Sequence, residues 1–207
     1  MTSIALLDYG MGNRRSVEKA LEHVGARVEL TGDHERVRAA DGVVVPGVGA
    51  FPEAMRRLAA SGLDDVIRER SAAVPVLGIC LGMQLLFDSS TEHEGAAGLG
   101  LLPGTVTALD AGGAKLPHIG WNEVTFPCPA VLTAGLGETA AFYHVHSFVC
   151  RPADADDIAG VGEYGERFAS IVERGNVSGA QFHPEKSSKV GLALLENFVR
   201  ACARVPA

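Results

Sequence analysis

Val74-Pro75-Val76-Leu77-Gly78-Ile79-Cys80-Leu81-Gly82-Met83-Gln84-Leu85-Leu86-Phe87 is an apolar run too short for a core helix, then a glycine-flanked cysteine, then a helix-like segment. That order puts one side chain on a sharp strand-to-helix turn, where crowding leaves no room for a Cβ at the flanking positions. Two readings of Cys80 follow. On such a turn it stands at a helix N-terminus, where backbone N–H groups favour a thiolate and so a nucleophile. Alternatively it is a buried cysteine acting as a small hydrophobe.

Outward from this stretch, strands alternate with helices. Ile4 to Leu7 is a short apolar run ending in Asp8-Tyr9-Gly10-Met11-Gly12-Asn13, and Val17, Ala20, Leu21 and Val24 then recur at helical spacing up to Gly25. Val28 to Leu30 reads as a weak strand and Gly42-Val43-Val44-Val45 as a strong one, running into Pro46-Gly47-Val48-Gly49-Ala50-Phe51. Phe51, Met55 and Leu58, then Leu63, Val66 and Ile67, continue in helical register. This alternation predicts an α/β fold with a doubly wound, largely parallel sheet, its ligand crevice beyond the carboxyl ends of the strands. Three loops, after Leu7, Val45 and Ile79, then gather on one edge. Gly10-x-Gly12 lacks the third glycine of a dinucleotide loop and the Lys-Ser/Thr of a P-loop. The glycines of Pro46 to Gly49 leave amides bare beside Cys80, as an oxyanion hole requires, although a tight turn alone would also need them.

From residue 95 the pattern changes to short, Gly/Pro-punctuated strands at Gly104 to Leu109, Ala141 to Val149, Phe168 to Val172 and Val177 to Phe182. They predict additional antiparallel strands in the C-terminal half. Leu195, Phe198, Val199 and Cys202 close the fold as one face of an amphipathic helix over residues 188–203.

The 207 residues suffice for a single domain over 1–207, and a domain of this size buries roughly 70% of its unfolded surface. Cys80, Cys128, Cys150 and Cys202 are widely spaced, which suggests neither disulfides nor a zinc site and fits a reducing compartment. The chain enters directly on Ser3-Ile4-Ala5-Leu6-Leu7, and no apolar run reaches the ~18 residues of a membrane span, so a soluble cytoplasmic protein is expected. Eighteen basic against 25 acidic residues give a net charge of −7, which argues against nucleic acid as the main partner.

A cysteine hydrolase needs an imidazole to move the thiol proton and a third group to hold the ring. Of seven histidines, His23, His34 and His93 fall in polar surroundings and read as solvated. His183 ends the run Val177 to Phe182 and is followed by Pro184 and Glu185. In extended backbone, residues two apart project to the same side, so Glu185 can reach the far nitrogen of His183. A helix-capping histidine beside a surface glutamate is the alternative. His144 and His146 also stand two apart, but the sequence places no third metal ligand near them. One of the two is expected to face the sheet and the other to line the site or a surface, with no metal.

In Gly78 to Gln84 and Gln181-Phe182-His183-Pro184-Glu185, the chain resembles the triad-type, class I glutamine amidotransferases. Asp8 to Asn13, Pro46 to Phe51, Pro117-His118-Ile119-Gly120-Trp121-Asn122 and His183 to Ser188 carry a finer likeness, over essentially the whole chain, to the glutaminase subunits of imidazole glycerol phosphate synthase. The resemblance implies hydrolysis of glutamine without a cofactor. It also implies that the ammonia passes to a (βα)₈-barrel cyclase subunit, which would make imidazole glycerol phosphate and the carboxamide ribotide that feeds purine synthesis. It implies Cys80 as the nucleophile that forms a glutamyl thioester, His183 as acid and base, and Glu185 as its orienting carboxylate. Val48 and Gly49, with the Leu81 amide, match oxyanion-binding positions; Gln84 and Glu92 match residues that hold glutamine, beside the backbone of His146, Ser147 and Phe148. Asn13, Trp121, Asn122, Tyr143 and Lys186 fall where this family meets the barrel and the ammonia passage. Arg14 and His144 depart from the family pattern near that face.

Two rivals remain. One is a glutaminase feeding another synthase, of the pyridoxal phosphate or anthranilate type. The other is a non-catalytic binding subunit of the same fold, against which the intact Cys80, His183 and Glu185 argue.

Overall fold

Successive residues of β1 (Ser3–Leu7) serve two cores: Ile4 and Leu6 face one, Ala5 and Leu7 the other. A strand apolar on both sides must be covered on both, which is the condition for a parallel sheet between helical layers. The computed structural model describes residues 1–203 and meets that condition. In chain order, α1 (Arg14–His23), β2 (Arg27–Thr31), α2 (His34–Ala39), β3 (Gly42–Val45), α3 (Phe51–Ser61), α4 (Leu63–Ser71) and β4 (Val76–Ile79) follow β1. The glycine-flanked turn leads into α5 (Leu81–Leu85), only five residues long, so the helical stretch expected after Cys80 ends early. Phe87 and the residues after it extend into β5 (Phe87–Ser90).

The C-terminal half adds β6 (Ala96–Ala97), β7 (Leu102–Ala108), β8 (His118–Thr125), β9 (Thr139–His146), β10 (Phe148–Pro152), β11 (Ile158–Tyr164), β12 (Glu166–Arg174), β13 (Val177–Ala180) and α6 (Ser188–Cys202). The run Ala141 to Val149, read from sequence as one strand, is two. It breaks at Ser147, whose carbonyl accepts from Leu109 N, because the chain there stops pairing with β8 and starts pairing with β7.

The sheet order is β2-β1-β3-β4-β13-β12-β10-β7-β5-β6, with β11, β8 and β9 branching from β12. Pairing from β2 through β13 is parallel, and β13, β12, β10 and β7 pair antiparallel. Val17 and Leu21 of α1 and Leu194, Leu195 and Phe198 of α6 cover one face of the parallel part; Val37, Phe51, Leu58, Val66 and Ile67 of α2, α3 and α4 cover the other. Each such fully buried large side chain contributes about 1.5–3 kcal/mol of transfer free energy. Cys202 packs in the first of these cores, where a Cβ on Gly42 would come within 2.3 Å of its sulfur.

The consequence for function is positional. Adjacent parallel strands β1, β3, β4 and β13 present Asp8–Asn13, the Pro46 loop, Cys80 and Gln181–Glu185 at one edge. Among the described residues, no helix is long and apolar enough to cross a membrane.

Candidate active site

Cys80 sits at φ 55°, ψ −112°, a left-handed conformation that a non-glycine residue adopts only under strain. Its surroundings hold it there. Cys80 N donates to Ala180 O at 2.7 Å, extending the β4–β13 ladder by one residue, and Met83 N closes the turn onto Cys80 O at 3.0 Å. The flanking glycines are sterically required: a Cβ on Gly78 would lie 2.5 Å from Gly82 O, and one on Gly82 would lie 1.8 Å from Val45 O.

β13 runs one step further before turning, and this brings His183 to the same edge. His183 N donates to Tyr143 O at 2.9 Å, and Ser187 Oγ donates to His183 O at 2.7 Å while accepting from Tyr143 N at 3.0 Å. The His183 ring therefore leaves a backbone clamped between β9 and the turn that follows. Its Nδ1 lies 2.9 Å from Glu185 Oε1, with both side chains almost closed to solvent. Burial pulls the imidazole pKa down, but the attraction of Cys80 and Glu185 outweighs it and raises the pKa to about 9. His183 is thus an imidazolium at neutral pH, poised to give up a proton.

The Pro46–Gly49 loop packs directly on the start of α5: a Cβ on Gly47 would meet Gly82 N and Leu81 Cβ at 2.9 Å. Gly49 takes φ +104°, a conformation suited to glycine. Tyr9 supports the loop by donating from its hydroxyl to Pro46 O, and burial, with Cys80 nearby, pushes the Tyr9 phenol above its usual range. Leu81 opens α5, so its N–H is among the first-turn donors that have no intrahelical partner.

A cleft of about 350 Å³ opens at this edge. Val48, Gly49, Leu81, Gln84, Glu92, His146, Ser147 and Phe148 all line it, together with Cys80 and His183. Gln84 donates to Phe148 O and to Gln181 Oε1, each at 3.2 Å. Glu92 Oε2 accepts from Phe51 N at 2.7 Å, tying the cleft wall to the first turn of α3. Pro117 and Val145 also line the cleft; Pro117 opens the Pro117–Asn122 motif but was not expected in the site, and no sequence signal pointed to Val145. Val145 is brought there because β9 runs its free edge past the elbow, with Val145 O 3.7 Å from Cys80 Sγ.

Of the residues expected at a docking face, Lys186 alone is among those lining the cleft. Lys186 is exposed and lines the rim; Trp121 is exposed and packs edge-on against Tyr143, with ring centroids 6.2 Å apart. Asn13 is exposed just before α1, and Asn122 faces inward from β8 to donate to Glu163 O at 2.8 Å. Arg14, one of the departures from the family pattern, forms an ion pair with Asp8.

His144 is fully buried on the sheet face, with Nδ1 3.1 Å from Phe142 O and Nε2 2.9 Å from Ser170 Oγ, while His146 lines the cleft. Burial, with like neighbours adding to it, lowers the pKa of both rings to about 3. Among the described residues, no group of three or more His, Cys, Asp or Glu is placed to hold a metal ion. His34 is a correction to the sequence reading: it is not simply solvated, since its Nε2 lies 2.7 Å from Ser61 O, at the end of α3. The other thiols differ from Cys80 in setting. Burial pushes Cys202 up to about 12 and Cys150 well above its usual value, and Cys128 is exposed.

Residues 5–202 match the family model described as glutamine amidotransferase class-I. Among curated proteins, the chain is 52% identical over 199 residues to "Imidazole glycerol phosphate synthase subunit HisH" of Moorella thermoacetica, covering 96% of this chain and 94% of that one. It is 47% identical to the protein of the same name from Aromatoleum aromaticum, covering 96% and 98%. Among solved structures, a glutamine amidotransferase superposes with a TM-score of 0.76 at 18% identity, covering 97% of this chain and 98% of the other. PurLQS from Thermotoga maritima superposes at 0.74 and 18% identity, covering 98% and 97%. At such identities the structural likeness concerns the fold alone.

Proposed function

Since the chain belongs to the class-I glutamine amidotransferases, and among them to the family of the HisH subunits of imidazole glycerol phosphate synthase, we propose that it hydrolyses glutamine and delivers the ammonia to a (βα)₈-barrel cyclase subunit. The carrying observation is the strained Cys80 elbow beside an imidazolium that Glu185 orients, in one cleft.

The chemistry follows from the positions. Glutamine enters with its side-chain amide over Cys80. The thiolate attacks the amide carbon, and the oxygen that becomes negative is met by the backbone amides of Val48, Gly49 and Leu81. His183 protonates the departing nitrogen, so ammonia leaves and a glutamyl thioester remains. The now neutral His183 takes a proton from water, which attacks the thioester; Cys80 leaves as the thiolate, glutamic acid loses its proton as glutamate, and the thiolate–imidazolium pair is restored. Glu185 keeps His183 Nδ1 protonated throughout, so that Nε2 does the proton transfer. Gln84, Glu92 and the backbone of residues 146–148 hold the rest of the substrate.

The partner docks across Asn13, Trp121, Asn122, Tyr143 and Lys186, of which Lys186 lines the cleft, and receives the ammonia there. There it completes imidazole glycerol phosphate and the carboxamide ribotide in histidine biosynthesis. Lys186 is a candidate ion-pair partner for a carboxylate on the barrel. A glutaminase that ran unpartnered would waste glutamine, so the Pro46–Gly49 amides reach their working aim when the loaded barrel docks. Glutamate release by the isolated chain, compared with the chain plus barrel and its ribotide ligand, tests this reading. A large rate increase in the complex is expected; no glutamate release from the complex overturns it, and equal rates remove the coupling. A glutaminase serving a different synthase would form no complex with this barrel.

A further inference from the structure

His118, at the start of β8, is 3% exposed and faces its register partner His146 on β9. No step above uses it, yet both its nitrogens are engaged. Nδ1 lies 3.1 Å from His146 Nε2, and Nε2 lies 3.3 Å from Asn122 Nδ2. His146 Nδ1 lies 3.1 Å from Phe148 O.

The protons in this chain assign themselves. A carbonyl only accepts, so His146 carries its proton on Nδ1 and presents a bare Nε2. His118 must then donate from Nδ1, which leaves its Nε2 to accept from the Asn122 amide. Burial lowers the pKa of both rings, so both are neutral, as this alternation needs. At the inner end, the Phe148 carbonyl also accepts from Gln84, and Gln181, which accepts from Gln84, places its Nε2 4.0 Å from Cys80 Sγ. At the outer end, Asn122 adjoins Trp121, which is 56% exposed on the opposite face of β8.

We propose that His118 is a positioning residue for glutamine hydrolysis. It donates to the bare Nε2 of His146 and so holds in place the ring whose Nδ1–H anchors the Phe148 carbonyl in the cleft wall. Through Asn122 it ties that wall to the strand on which the partner subunit presses. This inference rests on the glutaminase reading, and it gives the buried end of Pro117 to Asn122 a use distinct from docking.

The test uses the complex with the barrel subunit. His118→Phe keeps a ring to stack on Tyr164, whose centroid is 4.1 Å away, but has no donor; His118→Asn returns a donor near the Nδ1 position. In His118→Phe, KM for glutamine is expected to rise about five- to tenfold, the size of one lost hydrogen bond, with kcat changed by less than about threefold. His118→Asn is expected to bring KM most of the way back. Unchanged KM in His118→Phe, or an equal loss in both variants, overturns the proposal. Histidine ¹⁵N spectra of the wild-type complex give a second readout that needs neither a variant nor activity. His146 is expected protonated on Nδ1 and bare on Nε2, and the reverse tautomer overturns the proposal. A complex that releases no glutamate would refute the glutaminase reading, and the spectra would still decide the tautomer.

Discussion

His183 Nδ1 and Glu185 Oε1 lie 2.9 Å apart with both side chains almost sealed from solvent, so the carboxylate decides which ring nitrogen bears the proton. With the His183 pKa raised to about 9, the stabilisation from its protonation is fully present below the unfolded value of about 6.5 and is lost as pH rises through about 9. The alkaline limb of kcat for glutamine hydrolysis should fall near the same pH. In Glu185→Gln one of the contributions raising that pKa is gone, so the limb moves to lower pH and kcat drops by about a hundredfold or more. A pH–rate profile of both enzymes checks this; a limb that stays in place contradicts it.

The elbow makes a steric prediction. In Gly82→Ala the new methyl carbon would lie 1.8 Å from Val45 O, and strand or helix must give way. A loss of about 3 kcal/mol in urea unfolding is expected. Gly137 has open space around it and only a positive φ of 85°, so Gly137→Ala should cost about 1 kcal/mol. Similar losses at the two sites would show that the elbow is not crowded.

Acid stability depends on the buried histidines. His144 is fully buried with its pKa lowered to about 3, so the unfolded chain takes up a proton below about 6.5 that the folded chain refuses. Stability therefore falls as pH drops from about 6.5 towards 3, by up to about 5 kcal/mol for this group. His144→Phe removes that term at the cost of leaving Ser170 Oγ without its partner. Unfolding free energy measured against pH should show a flatter acid slope in the variant; equal slopes refute the assignment.

Ser187 is fully buried and bridges Tyr143 N and His183 O. Ser187→Ala strands a buried donor, for a loss of about 1–3 kcal/mol. Loosening the His183 backbone should also lower kcat by about tenfold. Thermal unfolding and kcat together check this, and a variant with normal kcat would show that β9 alone holds the imidazole.

Local patterns carried much of this in the sequence. Apolar runs followed by glycine loops marked β1, β3 and β4, and the spacing of His183 and Glu185 implied a shared hydrogen bond, although the chain makes it through a 3₁₀ turn over Pro184–Lys186 and not through extended backbone. Contacts made between distant segments left no such trace. Tyr9 supports the Pro46 loop from 37 residues away, and Ser187 clamps β9 from 44 residues away, each with a residue type that has a hundred other uses. The break at Ser147 is hidden because the residues on both sides of it favour extended backbone, and only the change of pairing partner separates them. His34 looked solvated because its acceptor, Ser61 O, becomes available only when α3 ends beside α2. His118 lies within the Pro117–Asn122 motif, but its facing of His146 depends on the register of β8 on β9.

The central claim is that Cys80 opens glutamine and that its ammonia feeds the partner. It is tested most directly by Cys80→Ala in the complex with the barrel subunit, measuring imidazole glycerol phosphate formation with glutamine and, separately, with ammonium salts. Loss of glutamine-dependent synthesis with ammonia-dependent synthesis intact is the expected result. Undiminished synthesis from glutamine would contradict the account.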